Sequence, residues 1–301
     1  MDKTIRFVEV APRDGFQNWP DPVSTEIKER LVRDLLRAGV ATVEATSFVS
    51  PKWVPQMADA EALMGRLGPE LHPRLRVLVP NLRGYERAVA AGASAVVVNL
   101  AVTDGFNRRN LNRTVAETLA EITAICEVAT PARVEVVGSL SVAWGCPYDG
   151  PVSKEQALDA SRRLLAAGCG RLSIADTIGV AHPRAVSELC TDAVAEFGAG
   201  RVAVHFHDTR GLGVANVLAA LEAGVREFEG SLAGIGGCPF APRATGNVCS
   251  EDLLHMLDLM GFSSGASVPR LLEIAGGLAE ELGKPLPGKL YKAGLEPWVA
   301  G

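Results

Sequence analysis

The sequence predicts an α/β protein of the (β/α)8 TIM-barrel class with extra C-terminal helices, and three observations carry that prediction. A helical stretch, an Ala-Gly pair and a β-branched run recur at Ala38-Gly39, Ala91-Gly92, Ala167-Gly168 and Ala223-Gly224. Glycine one step past a helix is the common left-handed stop, and short turns of this kind separate alternating helices and strands. Eight candidate strands each precede a helical pattern, which implies a parallel sheet closed on itself. No G-x-G-x-x-G follows any of them, so an open dinucleotide-binding sheet is the weaker reading.

The first strand, Ile5–Val10, begins almost at once, with no signal-peptide core ahead of it, so a cytoplasmic protein is expected. Glu26–Ala38 follows with apolar residues at helical spacing, then strand two at Ala41-Thr42-Val43-Glu44. Strand three is Leu75–Val79, and strand four is Ala95-Val96-Val97-Val98. Helical periodicity at Val115–Ala129 and Lys154–Ala167 brackets strand five, Val134–Val137. Strand six is Arg171-Leu172-Ser173-Ile174, strand seven Val202–Phe206 and strand eight Val225-Arg226-Glu227-Phe228. Beyond them Glu251–Met260 and Pro269–Leu282 read as helices, and the Gly/Pro-rich tail from Gly283 is expected to pack on the outside or to be mobile. No linker interrupts the pattern. One domain over 1–301 is expected, with the barrel at about 4–262 and a helical extension at about 263–301.

The 301 residues are 48% hydrophobic and 22% charged, an ordinary globular balance. A formal net charge of −5 and the lack of a Lys/Arg cluster argue against a nucleic-acid surface. No run of 18 apolar residues occurs, so no membrane span is expected. Six cysteines without a C-x-x-C pair read mainly as small buried hydrophobes. Cys238 stands apart, flanked by Gly236-Gly237 and Pro239 in a loop.

The chemistry centres on His205 and His207. Two residues apart on a strand, they point to one face with Cα atoms roughly 6.5–7 Å apart, close enough to share a metal ion. The polar Asp208-Thr209-Arg210-Gly211 that follows places them at the strand's C-terminal rim, where barrels keep their chemistry. Hydrogen-bonded core histidines are the plainer alternative. Strand one runs into Arg13-Asp14-Gly15, which offers a hard oxygen ligand beside an anion-stabilising guanidinium, or else a simple surface ion pair. Glu44 and Asp176 follow strands two and six, where acids are costly to bury unless paired or ligating. Either alone also reads as a helix cap or a rim charge. After strand eight, the glycine-dense loop holding Cys238 reads as a lid, with Asn247 able to add an amide oxygen and Glu251 able to orient it.

These residues resemble the 3-hydroxy-3-methylglutaryl-CoA lyases, within the wider group of metal-dependent barrel lyases and Claisen synthases. The matching pieces are Pro12 through Asn18, Glu44 through Met57, Gly145 through Tyr148, Asp176 through Gly179, His205 through Thr209, and Gly236 through Ala241 with Gly246-Asn247. The second block and the Gly-Gly-Cys-Pro loop are specific to the lyases. The resemblance implies that Asp14, His205, His207 and Asn247 bind a divalent cation, Mg2+ or Mn2+ by the hardness of the donors. It makes Arg13 the enolate-stabilising group and Cys238 the lid residue that handles a proton. Glu44, Asp176 and His205 join them as catalytic positions, Gln17, Ser47, Asn110 and Ser173 line the substrate, and Glu251 is supporting. The implied reaction is retro-Claisen cleavage of an acyl-CoA to acetyl-CoA and acetoacetate, carried out by a homodimer.

Some positions depart from that pattern. Arg210 stands where an aromatic is usual, Arg243 where glycine is usual, Ser139 where a larger side chain is expected, and Asn99 through Asp104 is unusual too. A different branched acyl group, such as another 3-alkylglutaryl or a citramalyl thioester, is therefore an alternative. A Claisen-type synthase is a further one. Arg108-Arg109 suits either CoA phosphates or a solvated helix start.

Overall fold

Eight parallel strands close into a barrel in the computed structural model, which describes residues 3–237 and 246–296. In chain order they are β1 (Arg6–Glu9), β2 (Thr42–Ser47), β3 (Leu75–Leu78), β4 (Ala95–Ala101), β5 (Glu135–Ser141), β6 (Arg171–Asp176), β7 (Val202–Phe206) and β8 (Glu227–Gly230). Each pairs with its neighbours in sequence, and β8 closes on β1 with Arg6 opposite Glu227 and Val8 opposite Glu229. Around this wall lie α1 (Thr25–Arg37), α2 (Ala60–Leu67), α3 (Leu82–Ala90), α4 (Asp104–Leu111), α5 (Val115–Ala132), α6 (Lys154–Ala166), α7 (Pro183–Phe197), α8 (Gly213–Glu222) and α9 (Ser250–Leu259). Capping boxes at Thr114 and Ser153 start α5 and α6, each satisfying two otherwise orphaned amides.

Alternation along the strands divides the molecule into two environments. Phe7, Val43, Val77, Val96, Leu172, Ile174, Val204 and Phe228 face outward, buried under the helices in the main apolar core. Burying such side chains stabilises by about 1.5–3 kcal/mol each. The alternate residues face the barrel interior. Near the N-terminal end Glu227 pairs with Arg171 and, at 3.5 Å, with Arg6, and Arg171 also lies 3.6 Å from Glu135. Higher up, Leu78, Val97 and Val137 lie in register on β3, β4 and β5 and form a small apolar cluster of their own. Opposite them, β2, β3, β7 and β8 contribute Glu44, Arg76, His205 and Glu229, all buried.

The barrel and its order agree with the sequence reading, but strand ends differ. β2 runs to Ser47, β4 to Ala101, β5 to Ser141 and β6 to Asp176, several residues past the expected stops. β8 starts two residues later than expected and includes Glu229. Apolar runs end where polar residues begin, yet a barrel interior that is itself polar lets pairing continue. A two-stranded antiparallel piece, Gly145–Cys146 with Gly150–Pro151, also sits beyond β5.

The extension holds α10 (Val268–Leu282) and the short α11 (Leu290–Ala293). The tail is docked over its described length: Leu286 is buried, and the Gly288 amide donates to the Ala233 carbonyl at 2.8 Å. It thereby backs the segment after β8. Cys126, Cys146, Cys169, Cys190 and Cys249 are buried free thiols, as expected of small hydrophobes, and Cys238 lies outside the described residues. Among the described residues no helix is long and apolar enough to cross a membrane.

Candidate active site

After β1 the chain makes one π turn, Ala11–Gly15, in which the Val10 carbonyl accepts from Arg13, Asp14 and Gly15. Such turns displace side chains from regular helical positions and recur at functional sites. A buried carboxylate pins this one: Glu9 accepts the Ala11 and Leu232 amides at 2.8 and 2.9 Å and the Ser250 hydroxyl at 2.7 Å. Burial pushes the Glu9 carboxyl up to about 8 despite these donors. Gly15 is required by close approach, since a Cβ there would lie 2.6 Å from the Ile235 side chain. The turn presents Arg13 and Asp14 to the C-terminal mouth of the barrel.

Asp14, His205 and His207 each offer a donor atom, and the three lie within 4.8 Å of one another. The imidazole centroids are 5.2 Å apart. Asn247 joins them through an isolated antiparallel bridge to His207, and its Nδ2 donates to Asp14 Oδ2 at 2.8 Å and to the Ile235 carbonyl at 3.1 Å. Gly236, at φ +139°, leaves the room this needs, because a Cβ would sit 2.3 Å from Asn247 Nδ2. Asn247 Oδ1 and His207 Nδ1 are buried without a hydrogen-bond partner. Two orphaned lone-pair donors beside a carboxylate and a second imidazole are what a hard divalent cation would satisfy.

Electrostatics agree with that donor set. Burial opposes ionisation of Asp14, but Arg13 and the two imidazoles hold its carboxyl below the usual range. Burial, followed by the charge of His205, lowers His207 to about 4, which keeps that ring neutral at pH 7. His205 goes the other way: burial favours its neutral form, but Glu229 raises its pKa. Glu229 Oε2 lies 3.0 Å from His205 Nδ1, which leaves Nε2 as the ligating atom.

From there a chain of buried ion pairs runs around the wall. Glu229 Oε1 accepts from Arg76 Nη2 at 2.7 Å, and Arg76 Nε donates to Glu44 Oε2 at 2.6 Å. Glu44 Oε1 accepts from Arg13 Nε, and Arg13 Nη1 donates to Asp14 Oδ1 at 2.5 Å. Asp14, Glu44 and Glu229 face Arg13 and Arg76, so with His205 in the neutral form that a metal ligand takes, the group carries one net negative charge, a sign suited to a cation. Glu44 therefore anchors Arg13. Arg76 and Glu229 were missed by the sequence reading, although a charge inside Leu75-Arg76-Val77-Leu78 and one at Phe228-Glu229 were available signals.

The remaining expected positions divide. Ser47 and Ser173 are buried on their strands with unpartnered hydroxyls, and Gln17 has an unpartnered buried Oε1, so all three keep polar capacity for a ligand. Asn110 is half-buried on α4, beyond β4. Asp176 is buried with both oxygens taken, by the Val180 amide at 3.0 Å and the Ala181 amide at 2.9 Å. It braces the turn after β6. Glu251 does not touch Asn247; its Oε2 accepts the Ala233 amide at 3.0 Å and so supports the segment after β8. Arg210 caps the same turn as Asp176, donating to the Ile178 and Gly179 carbonyls. Cys238 and Arg243 lie outside the described residues; the last residue before them, Gly237, accepts from Asn18 Nδ2 at 2.7 Å.

Comparison with known proteins gives a consistent answer. The family model described as HMGL-like matches residues 4–276. A mitochondrial hydroxymethylglutaryl-CoA lyase of Mus musculus is 41% identical over 295 residues, covering 97% of this chain and 90% of its own length. A cytoplasmic 3-hydroxy-3-methylglutaryl-CoA lyase of Danio rerio is 40% identical over 96% of this chain and 86% of its own. Among solved structures, a hydroxymethylglutaryl-CoA lyase from Pseudomonas aeruginosa superposes with a TM-score of 0.92 at 39% identity, covering 97% of this chain and 98% of that one. An HMG-CoA lyase from Acinetobacter baumannii, in complex with coenzyme A and 3-methylmalate, gives 0.93 at 35%, with 98% of each chain covered.

Proposed function

The chain belongs to the HMGL-like family, and we propose that it is a divalent-cation-dependent carbon–carbon lyase that cleaves 3-hydroxy-3-methylglutaryl-CoA to acetyl-CoA and acetoacetate. One observation carries this reading: the mutual approach of the Asp14, His205 and His207 donors, with an orphaned Asn247 oxygen beside them and Arg13 against Asp14. Asp14, His205, His207 and Asn247 would hold the ion, Mg2+ or Mn2+. When bound, it supplies Lewis acidity to the substrate's 3-hydroxyl oxygen.

The chain's own groups account for the rest. The hydroxyl proton passes to a carboxylate or imidazole at the barrel mouth as C3 becomes a carbonyl, the C2–C3 bond breaks, and its electron pair forms the thioester enolate. Arg13, with Nε and Nη1 held by Glu44 and Asp14, has Nη2 without a partner among the described residues and so free to donate to that enolate oxygen. Ser47, Ser173, Gln17 and Asn110 orient the acyl chain. Cys238 delivers the proton that turns the enolate carbon into the methyl of acetyl-CoA. Buried surroundings strengthen each of these charge contacts relative to water.

A second acyl group is favoured by one feature. Asn99, Ser139 and Ser173 lie in register across β4, β5 and β6, forming a row of short polar residues on the wall away from the ion pairs. A wall of such short side chains would suit a C3 substituent larger than methyl. A panel of 3-hydroxyacyl thioesters, assayed for acetyl-CoA release with Mg2+ or Mn2+ and with EDTA, tests the whole reading. Cleavage that ignores EDTA, or condensation of acetyl-CoA with a 2-ketoacid and no cleavage, would refute it. The homodimer is proposed on the family resemblance, with sedimentation as its test. A cytoplasmic location is proposed from the likeness to the cytoplasmic lyase of Danio rerio, to be tested by fractionation.

A further inference from the structure

We propose that Arg76 is a positioning residue that ties the two arms of the site together: through Glu44 it sets Arg13, and through Glu229 it sets the His205 ring. This rests on the reading of the site as a cation-and-thioester centre. Arg76 is 3% exposed and lies on β3, between carboxylates contributed by β2 and β8. It uses two different N–H groups for them, Nε toward Glu44 at 2.6 Å and Nη2 toward Glu229 at 2.7 Å. Only a planar guanidinium fork holds two carboxylates in fixed directions at once; a lysine ammonium offers charge without that geometry.

Each carboxylate then has its other oxygen committed to a functional group, Glu44 Oε1 to Arg13 and Glu229 Oε2 to His205. Rotation of either one would move a group that acts on substrate or metal. Burial keeps the Glu229 carboxylate costly to leave unpaired, so release of Arg76 would reorient it toward another donor. Outer partners of metal-binding histidines commonly tune affinity, and Arg76 bonds the outer carboxylates of both arms at once.

Arg76→Met and Arg76→Lys are compared with the wild type for Mn2+ affinity by calorimetry on metal-stripped protein, and for kcat at saturating Mn2+. Both variants are expected to lose about 10–100-fold in Mn2+ affinity and about 100-fold in kcat. Glu229→Gln added to either variant should lower Mn2+ affinity no further than the weaker single variant, and Glu44→Gln added should behave likewise for kcat, because each pair acts as one unit. A purely structural role predicts a lower Tm with additive effects, and that pattern would overturn the proposal. Folded Arg76→Lys within threefold of wild type in both readouts would overturn it too. If Arg76→Met does not fold, the Arg76→Lys cycles decide; if neither folds, Arg76 is a folding requirement and the proposal fails. A wild type that binds Mn2+ and releases acetyl-CoA while the variants match it sinks the role of Arg76 alone. A wild type that does neither sinks the reading of the site as well.

Discussion

Replacing Arg13 by methionine isolates enolate stabilisation from everything else the site does. The side chain is 12% exposed and makes two charge-assisted contacts, to Glu44 and Asp14. Loss of one transition-state donor raises a barrier by about 2.7–4 kcal/mol. At about 1.4 kcal/mol per decade, kcat should fall by about 10²–10³-fold. Stability should suffer less than for an ordinary broken buried pair, because Arg76 still holds Glu44 at 2.6 Å. A cost of about 1–3 kcal/mol fits a single lost partner, against about 3–5 for a charge left alone. Asp14 keeps its contact with Asn247 and loses a neighbouring positive charge, so Mn2+ affinity should hold or rise. Acetyl-CoA release at saturating Mn2+, with calorimetric titration of the stripped protein, measures both quantities. A kcat within threefold of wild type, or disappearance of Mn2+ binding, would refute the separation of roles.

Asp14→Ala should abolish Mn2+ binding and turnover together, since it removes the only carboxylate of the donor cluster; turnover retained in EDTA would contradict this. Ser173→Ala removes a buried hydroxyl that has no partner, so Tm should hold or rise slightly while KM increases several-fold; an unchanged KM would take Ser173 out of the substrate wall. Glu251→Gln addresses pH. Burial raises the Glu251 carboxyl to about 7, so the native state keeps a proton that the unfolded chain releases above its ordinary 4.5. The associated stability is fully present below pH 4.5 and lost as pH rises through about 7, a difference worth about 3 kcal/mol. Denaturant melts of the glutamine variant between pH 5 and 8 should decline less than those of the wild type by about that amount, the remaining decline coming from Glu9, whose carboxyl burial raises to about 8. Identical pH dependence in both proteins would show that Glu251 does not titrate there.

Much of the barrel was legible because its outward faces obey simple rules: Ala-Gly stops after helices, β-branched runs beneath them, and polar residues at the mouth. His205-x-His207 was legible for the same reason, as two polar residues interrupting an apolar strand at period two. The interior was not. Glu44 reads as a strand-end charge because Val43-Glu44 is where the apolar run stops, whereas pairing continues to Ser47 and places it mid-strand. Glu229 fell beyond the expected end of strand eight, so its alternation with Glu227 went unread. The π turn was hidden as well, because Ala11-Pro12-Arg13-Asp14-Gly15 carries ordinary loop residues and is shaped by Glu9, Leu232 and Ser250 from distant parts of the chain.

Those interior charges would be a liability in an ordinary core, where replacing buried ion pairs by apolar residues is often neutral or stabilising. Their persistence in one connected ring suits a site whose own charge must be compensated in stages. Asp14, Glu44 and Glu229 outnumber Arg13 and Arg76 by one. On the proposed reading, a dication turns that excess of one negative charge into one positive charge, which suits the anionic acyl group of the proposed substrate. Within that pocket the fixed Arg13 guanidinium is aimed at the oxygen where negative charge develops, so it acts more strongly on the reacting state than on the bound substrate. An apolar replacement at Arg76 or Glu44 would remove this even where it raised the melting temperature. A variant of the pair that is more stable yet slower is therefore the pattern that separates a ring kept for catalysis from one kept for folding.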